Sequence, residues 1–169
     1  MHTLITGVTE CGKTTLGKRL AKQHRDAGIG VLVLTAVFEK WPCDYITTKQ
    51  SDFLDTFWGS RSCMAFVDEA GETVGHYTDT MKAIATRGRH YGHSCYFLVQ
   101  RPKMIDPNVR GQCTQLFCFS IGQEDADDLA REWNQPELKN ASKLRKGEYY
   151  RCLRFNDDGV PSIEKGALW

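Results

Sequence analysis

Five short apolar runs recur along the chain, and each has the length of a buried β-strand. Most of these runs are continuously apolar rather than alternating, which is typical of strands covered on both faces by helices in a parallel sheet. The predicted strands are Thr3–Thr6, Gly30–Thr35, Cys63–Asp68, Ser94–Gln100 and Gln115–Ile121.

The segments between these strands carry apolar residues at helical spacing. In Thr14–Ala27, Leu16 and Leu20 fall on one face, and Gly28 supplies a helix stop. The other helical predictions are Ser51–Trp58 with Ser51 or Asp52 as its cap, Thr78–His90, Gln123–Trp133, and a short helix or turn at Leu138–Lys146.

After Asn134 the pattern changes to a predicted β-hairpin. Glu148–Phe155 and the segment after Val160 form its arms, because Asp158-Gly159 is a strong turn signal. The pattern predicts an α/β protein with a parallel core sheet and a C-terminal hairpin. All 169 residues are assigned to one domain, with a core at 1–134 and a hairpin extension at 135–169.

Composition narrows the class of protein. Hydrophobic residues make up 41% of the chain, and no run approaches the roughly 20 apolar residues that cross a bilayer. The first strand starts at the N-terminus, so we expect no signal peptide and a cytoplasmic location. The seven cysteines form no C-x-x-C pair and are expected to be buried thiols; His90, His93 and Cys95 match no familiar zinc spacing. A net charge of +1 means that any nucleic-acid contact must be local.

The segment between the first strand and the first helix has the sequence G-V-T-E-C-G-K-T-T, which matches the P-loop pattern G-x-x-x-x-G-K-[ST]. In this context the backbone N–H groups and the helix N-terminus point at phosphate oxygens. Lys13 would reach the β- and γ-phosphates of ATP, and the Thr14 hydroxyl would ligate Mg²⁺. The predicted nucleotide-binding residues are Gly7, Val8, Thr9, Glu10, Cys11, Gly12, Lys13, Thr14 and Thr15.

Polar residues follow two of the other predicted strands. Asp68 and Glu69 end an apolar strand, where Asp68 would hold Mg²⁺ and Glu69 would polarise a water for attack on the γ-phosphate. Gln100 ends the next strand and is placed to touch both the γ-phosphate and the attacking water. Because an acidic base beside a P-loop favours water as the acceptor, the sequence predicts hydrolysis.

These motifs occur in a succession that resembles the FtsK–HerA superfamily of DNA-pumping ATPases, and most of all the genome-packaging ATPases of tailless, often membrane-containing, viruses. The more specific parts of the resemblance are R-x-R-H-x-G-H leading to Gln-Arg-Pro (Arg87 to Pro102), and Leu-Arg-Lys-Gly-Glu-Tyr at Leu144 to Tyr149. The resemblance covers roughly Met1 to Tyr150.

The resemblance implies a RecA-like P-loop NTPase sheet of order 5-1-4-3-2. It also implies a homo-oligomeric ring, expected to be a hexamer, with ATP at the seams and an arginine finger from the neighbour. Arg87 and Arg89 are the candidate fingers, with Arg101 and Arg110 in reserve. Expected partners are double-stranded DNA and a capsid or capsid-membrane protein, in the host cytoplasm or the virion.

Two segments are candidates for gripping DNA phosphates. Phe38–Lys49 interleaves Lys40 and Lys49 with Phe38, Trp41 and Tyr45, and a second cluster holds Lys139, Lys143, Arg145 and Lys146. The opposite interpretation, that the aromatics pack the loop down and the lysines are solvated, is equally open.

Two alternatives to a DNA motor are a small nucleoside or nucleotide kinase and a filamentous-phage-type assembly ATPase. The kinase is disfavoured because the second strand ends without an acidic residue, and the assembly ATPase because no membrane-spanning segment is present.

Overall fold

One sheet of eight strands runs through the protein, for which a computed structural model describes residues 1–37, 39–73 and 79–169. The strands are β1 (His2–Thr6), β2 (Val31–Leu34), β3 (Tyr45–Thr47), β4 (Met64–Val67), β5 (Ser94–Val99), β6 (Cys113–Cys118), β7 (Glu148–Leu153) and β8 (Ser162–Ala167). They lie in the order β3-β2-β4-β5-β1-β6-β7-β8. The strands from β3 to β6 pair in parallel, and β7 and β8 join them antiparallel.

The five predicted strands are confirmed, and so is their order. The predicted order 5-1-4-3-2 corresponds to β6-β1-β5-β4-β2, which places the strand that ends at Gln100 between the P-loop strand and the acidic strand. The C-terminal hairpin is also present. It continues the main sheet, because β7 pairs with β6 in the register Gln115↔Leu153. At its turn, Gly159 has φ 76° and donates its N–H to Asn156 O at 2.9 Å.

The sequence did not predict β3, which pairs with β2 in the register Leu32↔Tyr45. It lies within the candidate DNA-contacting segment Phe38–Lys49, for which no strand was predicted. Three residues are too few to show the two-residue alternation by which a strand is recognised in a sequence. This strand forms the edge of the sheet beside β2.

Within residues 1–37, 39–73 and 79–169, six helices and three 3₁₀ segments connect the strands. They are α1 (Lys13–Asp26), α2 (Gln50–Gly59), α3 (Ala70–Thr73), α4 (Asp79–Arg87), α5 (Pro107–Gly111) and α6 (Gln123–Glu132), with 3₁₀ turns at Gly88–Tyr91, Pro102–Met104 and Pro136–Lys143.

The helix predictions are confirmed except at some boundaries. Gly28 ends α1 in the left-handed region, with φ 77°. Lys49 occupies the N-cap position of α2 and makes no side-chain capping hydrogen bond, so the prediction of Ser51 or Asp52 as its cap is wrong. Of the helix predicted at Thr78–His90, Thr78 lies outside the described residues, and Gly88 to His90 form a 3₁₀ turn. A Cβ on Gly88 would lie 2.8 Å from the Phe57 ring, so this turn sits tightly on α2.

Helices cover both faces of the sheet, which explains the continuously apolar strands. On one face α1 packs Leu16 and Ala21 against residues such as Ile5 and Leu98. On the other face α2, α4, α5 and α6 enclose a larger core, which is built around side chains such as Phe57, Phe97, Ile84 and Leu129. Six of the seven cysteines are buried in these two cores. Within the described part of the chain, no helix is long and apolar enough to span a membrane.

Trp41 belongs to the core under α1, although its segment is one of the two predicted DNA contacts. It is 6% exposed, and its ring centroid lies 5.8 Å from that of Phe66. Gly17 of α1 gives it room, since a Cβ there would lie 3.0 Å from the indole. Trp41 is therefore a packing residue and presents no open ring to a base. Of the rest of that segment, Lys40 and Lys49 are exposed, Tyr45 is half-buried in β3, and Phe38 lies outside the described residues.

We expect Trp41→Ala to lower the free energy of unfolding by about 3 kcal/mol, because it leaves a cavity between α1 and the sheet. Urea denaturation measures the change. The matched control is Lys40→Ala at the exposed neighbour, which should change stability by no more than about 0.5 kcal/mol. If Trp41→Ala kept full stability but bound DNA more weakly, Trp41 would be a DNA contact and not a packing residue.

Candidate active site

The segment 7–12 turns the chain from the end of β1 into α1. Gly7 and Gly12 have φ of 155° and 120°, a region that favours glycine. A Cβ on Gly7 would lie 2.6 Å from Phe119 Cβ, and one on Gly12 would lie 2.5 Å from Leu168 Cδ1. Both glycines are required by backbone conformation and by the close packing of the loop against Phe119 and Leu168.

The Lys13 side chain folds back over this loop. Its Nζ donates hydrogen bonds to Gly7 O at 2.7 Å and to Val8 O at 2.9 Å. Burial lowers the pKa of Lys13, while the nearby Asp68 and Glu69 carboxylates act in the opposite direction. The loop carbonyls thus hold the ammonium group beside the space enclosed by the loop and the two acids.

The acidic pair follows β4 directly. Asp68 is 8% exposed, and burial raises the pKa of its carboxyl. The Glu69 N–H donates to Asp68 Oδ1 at 3.1 Å. Glu69 has φ 57°, a left-handed conformation that costs a residue with a side chain about 1 kcal/mol. This turn sends the two consecutive carboxylates in different directions from the strand end, so that one is buried and the other is exposed.

A cavity of about 280 Å³ at the carboxyl edge of the sheet brings together the predicted catalytic and metal-binding residues other than the two candidate arginine fingers. It is lined by Lys13 and Thr14 from the start of α1, by Asp68 and Glu69 after β4, and by Gln100 after β5. The strand order explains the convergence, because β5 lies between β1 and β4 and all three end at the same edge. We call this cavity the phosphate cleft.

The phosphate cleft also contains residues that the sequence did not predict. Thr35, Val37 and Glu39 line it from the segment that leaves β2. Glu39 accepts a hydrogen bond from Lys18 Nζ at 2.8 Å, and its charge contributes to the raised pKa of Asp68. The second strand itself ends without an acid, but the chain brings one to the cleft within a few residues. No periodic pattern in this segment signals that placement.

The residues of the phosphate cleft fit a Mg–nucleotide complex. Lys13 places a cation at the wall of the cleft, and Thr14 and Asp68 offer there the hydroxyl and carboxylate oxygens that Mg²⁺ prefers. Among the described residues no three His, Cys, Asp or Glu side chains cluster as a metal site. The ring nitrogens of His93 contact Cys63 N and Phe57 O, which accounts for this histidine within the core.

The two candidate arginine fingers lie at the opposite edge of the sheet. Arg87 ends α4 and Arg89 lies in the following 3₁₀ turn, and both are exposed. This turn precedes the amino end of β5, and β1 alone, with five residues, is about 16 Å long. His2, at the start of β1, is near Arg89: burial, the amino terminus and the Arg89 charge lower the pKa of His2 to about 4. The structure therefore does not bring Arg87 or Arg89 into the phosphate cleft of their own protomer.

The two reserve arginines are engaged within the protomer. Arg101 forms a two-pronged ion pair with the buried Asp125 of α6, at 2.8 and 3.1 Å. Arg110 donates to Glu132 at 2.7 Å and to Pro102 O at 3.0 Å. Both pairs anchor the segments after β5 to α6.

A glycine loop between β1 and α1, an acidic pair after β4 and a polar tip on the strand between them define the P-loop NTPase fold. No protein-family model and no curated protein sequence matches this chain.

Solved structures do match it over nearly its whole length. The DNA-packaging ATPase B204 from Sulfolobus turreted icosahedral virus has 12% identity and a TM-score of 0.77, covering 96% of each chain. The genome packaging NTPase B204 from Sulfolobus turreted icosahedral virus 2, in complex with ATP-gammaS, has 14% identity and a TM-score of 0.75, covering 98% of this chain and 97% of that one. The pCW3 conjugation coupling protein TcpA has 16% identity and a TM-score of 0.67, covering 95% of this chain and 58% of TcpA. These similarities establish the fold, and they confirm the fold that the sequence resemblance predicted.

Proposed function

We propose that this protein is a Mg-ATP-hydrolysing DNA translocase that acts as a ring and packages a viral genome. The observation that carries the proposal is the meeting of the P-loop, Asp68-Glu69 and Gln100 in one phosphate cleft. The fold supports it, since it is shared over 96% of both chains with a DNA-packaging ATPase.

The residues predicted from the sequence have distinct roles in the proposed reaction. Lys13 and the backbone N–H groups of 7–15 bind the phosphates, and Thr14 and Asp68 hold the metal. Mg²⁺, when bound, neutralises charge on the phosphate oxygens. Glu69 accepts the proton of the attacking water, and Gln100 orients that water. Because Glu69 is exposed while Asp68 is buried, the two carboxylates suit these different roles.

A ring arrangement would give the distant arginines a function. Arg87 and Arg89 are exposed at the edge away from the cleft, so either one can serve only the cleft of a neighbouring protomer. We propose a homo-oligomeric ring, with a hexamer as the expected size. It would act on double-stranded DNA in the host cytoplasm or the virion and dock on a capsid or capsid-membrane protein.

DNA contact in this proposal falls mainly to the basic cluster near the hairpin. The cluster is exposed at all four of its residues, Lys139, Lys143, Arg145 and Lys146. In the aromatic segment, by contrast, the Trp41 side chain is buried in the core and cannot contact DNA. Phosphate contacts by lysine and arginine release counterions, so DNA binding through this cluster should weaken as salt is raised.

One observation favours a nucleoside or nucleotide kinase as the second candidate. Glu39 brings an acid from the β2 side to the phosphate cleft, where a kinase would need a group to hold its acceptor. The ion pair with Lys18 partly neutralises that carboxylate, and Glu69 still offers a base for water. We therefore rank the translocase first.

We expect linear double-stranded DNA to increase ATP turnover by the full chain, and the increase to disappear as salt is raised, because the DNA contacts are electrostatic. Phosphate release measures turnover, and light scattering with nucleotide present measures the mass in solution. A ring gives a mass several times that of one chain. A monomer or dimer that consumes ATP only when a nucleoside or nucleotide acceptor is added would contradict the translocase and support the kinase.

A further inference from the structure

A second cavity, of about 400 Å³, lies on the other side of the P-loop from the acidic pair. Glu10, Lys13 and Thr14 line both cavities, so the two spaces adjoin around the start of α1. The remaining wall includes Thr15, Lys146 and Trp169. Of the acidic residues that line the phosphate cleft, Glu10 also lines this second cavity, whereas Asp68 and Glu69 do not.

Backbone contacts fix the position of Trp169 relative to the P-loop. Gly147 donates its N–H to the Cys11 carbonyl of the loop at 3.0 Å, and Leu168 donates its N–H to Gly147 O at 3.0 Å. Arg19 of α1 donates to Leu168 O at 2.7 Å. The segment that carries Trp169 is thereby tied to the loop and to the helix that follows it.

The indole ring itself rests on a glycine. Gly147 has φ 85°, and a Cβ at that position would lie 2.7 Å from two carbon atoms of the Trp169 ring. A glycine here therefore allows the ring to lie directly on the backbone. Despite this contact, Trp169 remains 69% exposed, which leaves a large aromatic surface open beside Thr15. Lys146 is exposed in the same wall and adds a positive charge.

The direction in which a nucleotide would lie across the P-loop determines which part of it this second cavity can hold. A nucleotide whose terminal phosphate points at Asp68 and Glu69 must carry its nucleoside towards the opposite side of the loop. That side presents a fixed aromatic ring and a cation, the pair of groups that suits a base and the phosphate next to its ribose.

We infer that the second cavity is the nucleoside subsite, in which the base stacks on the Trp169 indole and Lys146 lies beside the innermost phosphate. This inference rests on the proposed nucleotide-binding function and extends it to two residues outside the P-loop. It assigns Lys146 of the basic cluster to the nucleotide, which leaves Lys139, Lys143 and Arg145 for the proposed DNA contact. Stacking uses the face of a base and not its hydrogen-bonding edge, so it accepts both adenine and guanine nucleotides.

Binding measurements on the full chain test the inference without reference to turnover. Calorimetry gives the Kd of ADP and of inorganic pyrophosphate, which is the same diphosphate without its nucleoside. We expect Trp169→Ala to weaken ADP binding about tenfold, the usual order for a lost base–aromatic stack, and to leave pyrophosphate binding unchanged. Trp169→Phe should recover most of the ADP affinity. The control Phe155→Ala removes an aromatic that is 67% exposed in the hairpin turn and should affect neither ligand.

The failures of the two proposals are distinguishable. Unchanged ADP affinity in Trp169→Ala would overturn the subsite assignment and leave the P-loop site intact. Equal weakening of ADP and pyrophosphate would also overturn it, because the ring would then act only by shaping the loop. If the wild-type chain bound neither ligand, the proposed nucleotide-binding function itself would be wrong.

Discussion

Replacing Lys13 by alanine is expected to lower ATP hydrolysis by about a thousandfold, the order seen when a charge-stabilising group is removed from an active site. The ammonium group of Lys13 is held over the P-loop by two carbonyl contacts of 2.7 and 2.9 Å and is partly removed from solvent. Its charge therefore acts strongly on phosphate oxygens in the cleft, and alanine leaves only the backbone N–H groups. ATP binding should weaken as well, by about tenfold or more, since hydrogen bonds to charged groups are worth about 1.5–3 kcal/mol.

Phosphate release and calorimetric binding of ATP measure the two effects. Lys22→Ala is the matched control on the same helix, since its side chain is 66% exposed and pairs with Asp26 near the other end of α1. This variant should keep both turnover and affinity. Wild-type turnover in Lys13→Ala would contradict the assignment of the P-loop to the site of ATP hydrolysis.

The variant Glu69→Gln is expected to bind ATP with wild-type affinity and to cleave it at least about a hundredfold more slowly. The amide has the shape of the carboxylate but cannot take a proton from water. The turn should also survive, because it depends on the Glu69 backbone N–H and Asp68 Oδ1 and not on the Glu69 side chain. Bound but uncleaved ATP is therefore the signature of a lost base.

Rapid filtration of labelled ATP, followed by analysis of the bound product, separates binding from cleavage. Glu39→Gln is the informative comparison, because Glu39 lines the same cleft but is held by Lys18. We expect Glu39→Gln to retain cleavage. If Glu39→Gln stops cleavage and Glu69→Gln does not, then the base is Glu39, and the assignment of Glu69 is wrong.

Much of this cleft could be predicted because its residues follow strong local signals. The P-loop pattern is short and continuous, and Asp68 and Gln100 each follow an apolar run directly. In a parallel sheet such strand ends meet at one edge, so sequence position translates into spatial position. The same reasoning could not find Glu39, because it lies in a connection without periodicity whose path depends on the rest of the fold.

The sequence also did not show which aromatic side chains would be buried. Trp41 lies among charged residues and resembles a surface aromatic, yet α1 offers a gap at Gly17 that the indole fills. Trp169 lies next to an apolar residue and resembles a core aromatic, yet it stays exposed on Gly147. Burial of a single aromatic depends on the partner surface, which comes from distant parts of the chain.

The sequence by itself determined the five core strands, the P-loop and the acidic pair of this protein. Each of these is encoded by neighbouring residues through apolar runs, glycine conformations and the polar exits of strands. Only the tertiary structure decided the edge strand β3, the left-handed turn at Glu69, the placement of Glu39 and the position of Trp169 beside the P-loop. These features arise from contacts between residues far apart in the chain, and such contacts leave no periodic or local trace in a single sequence.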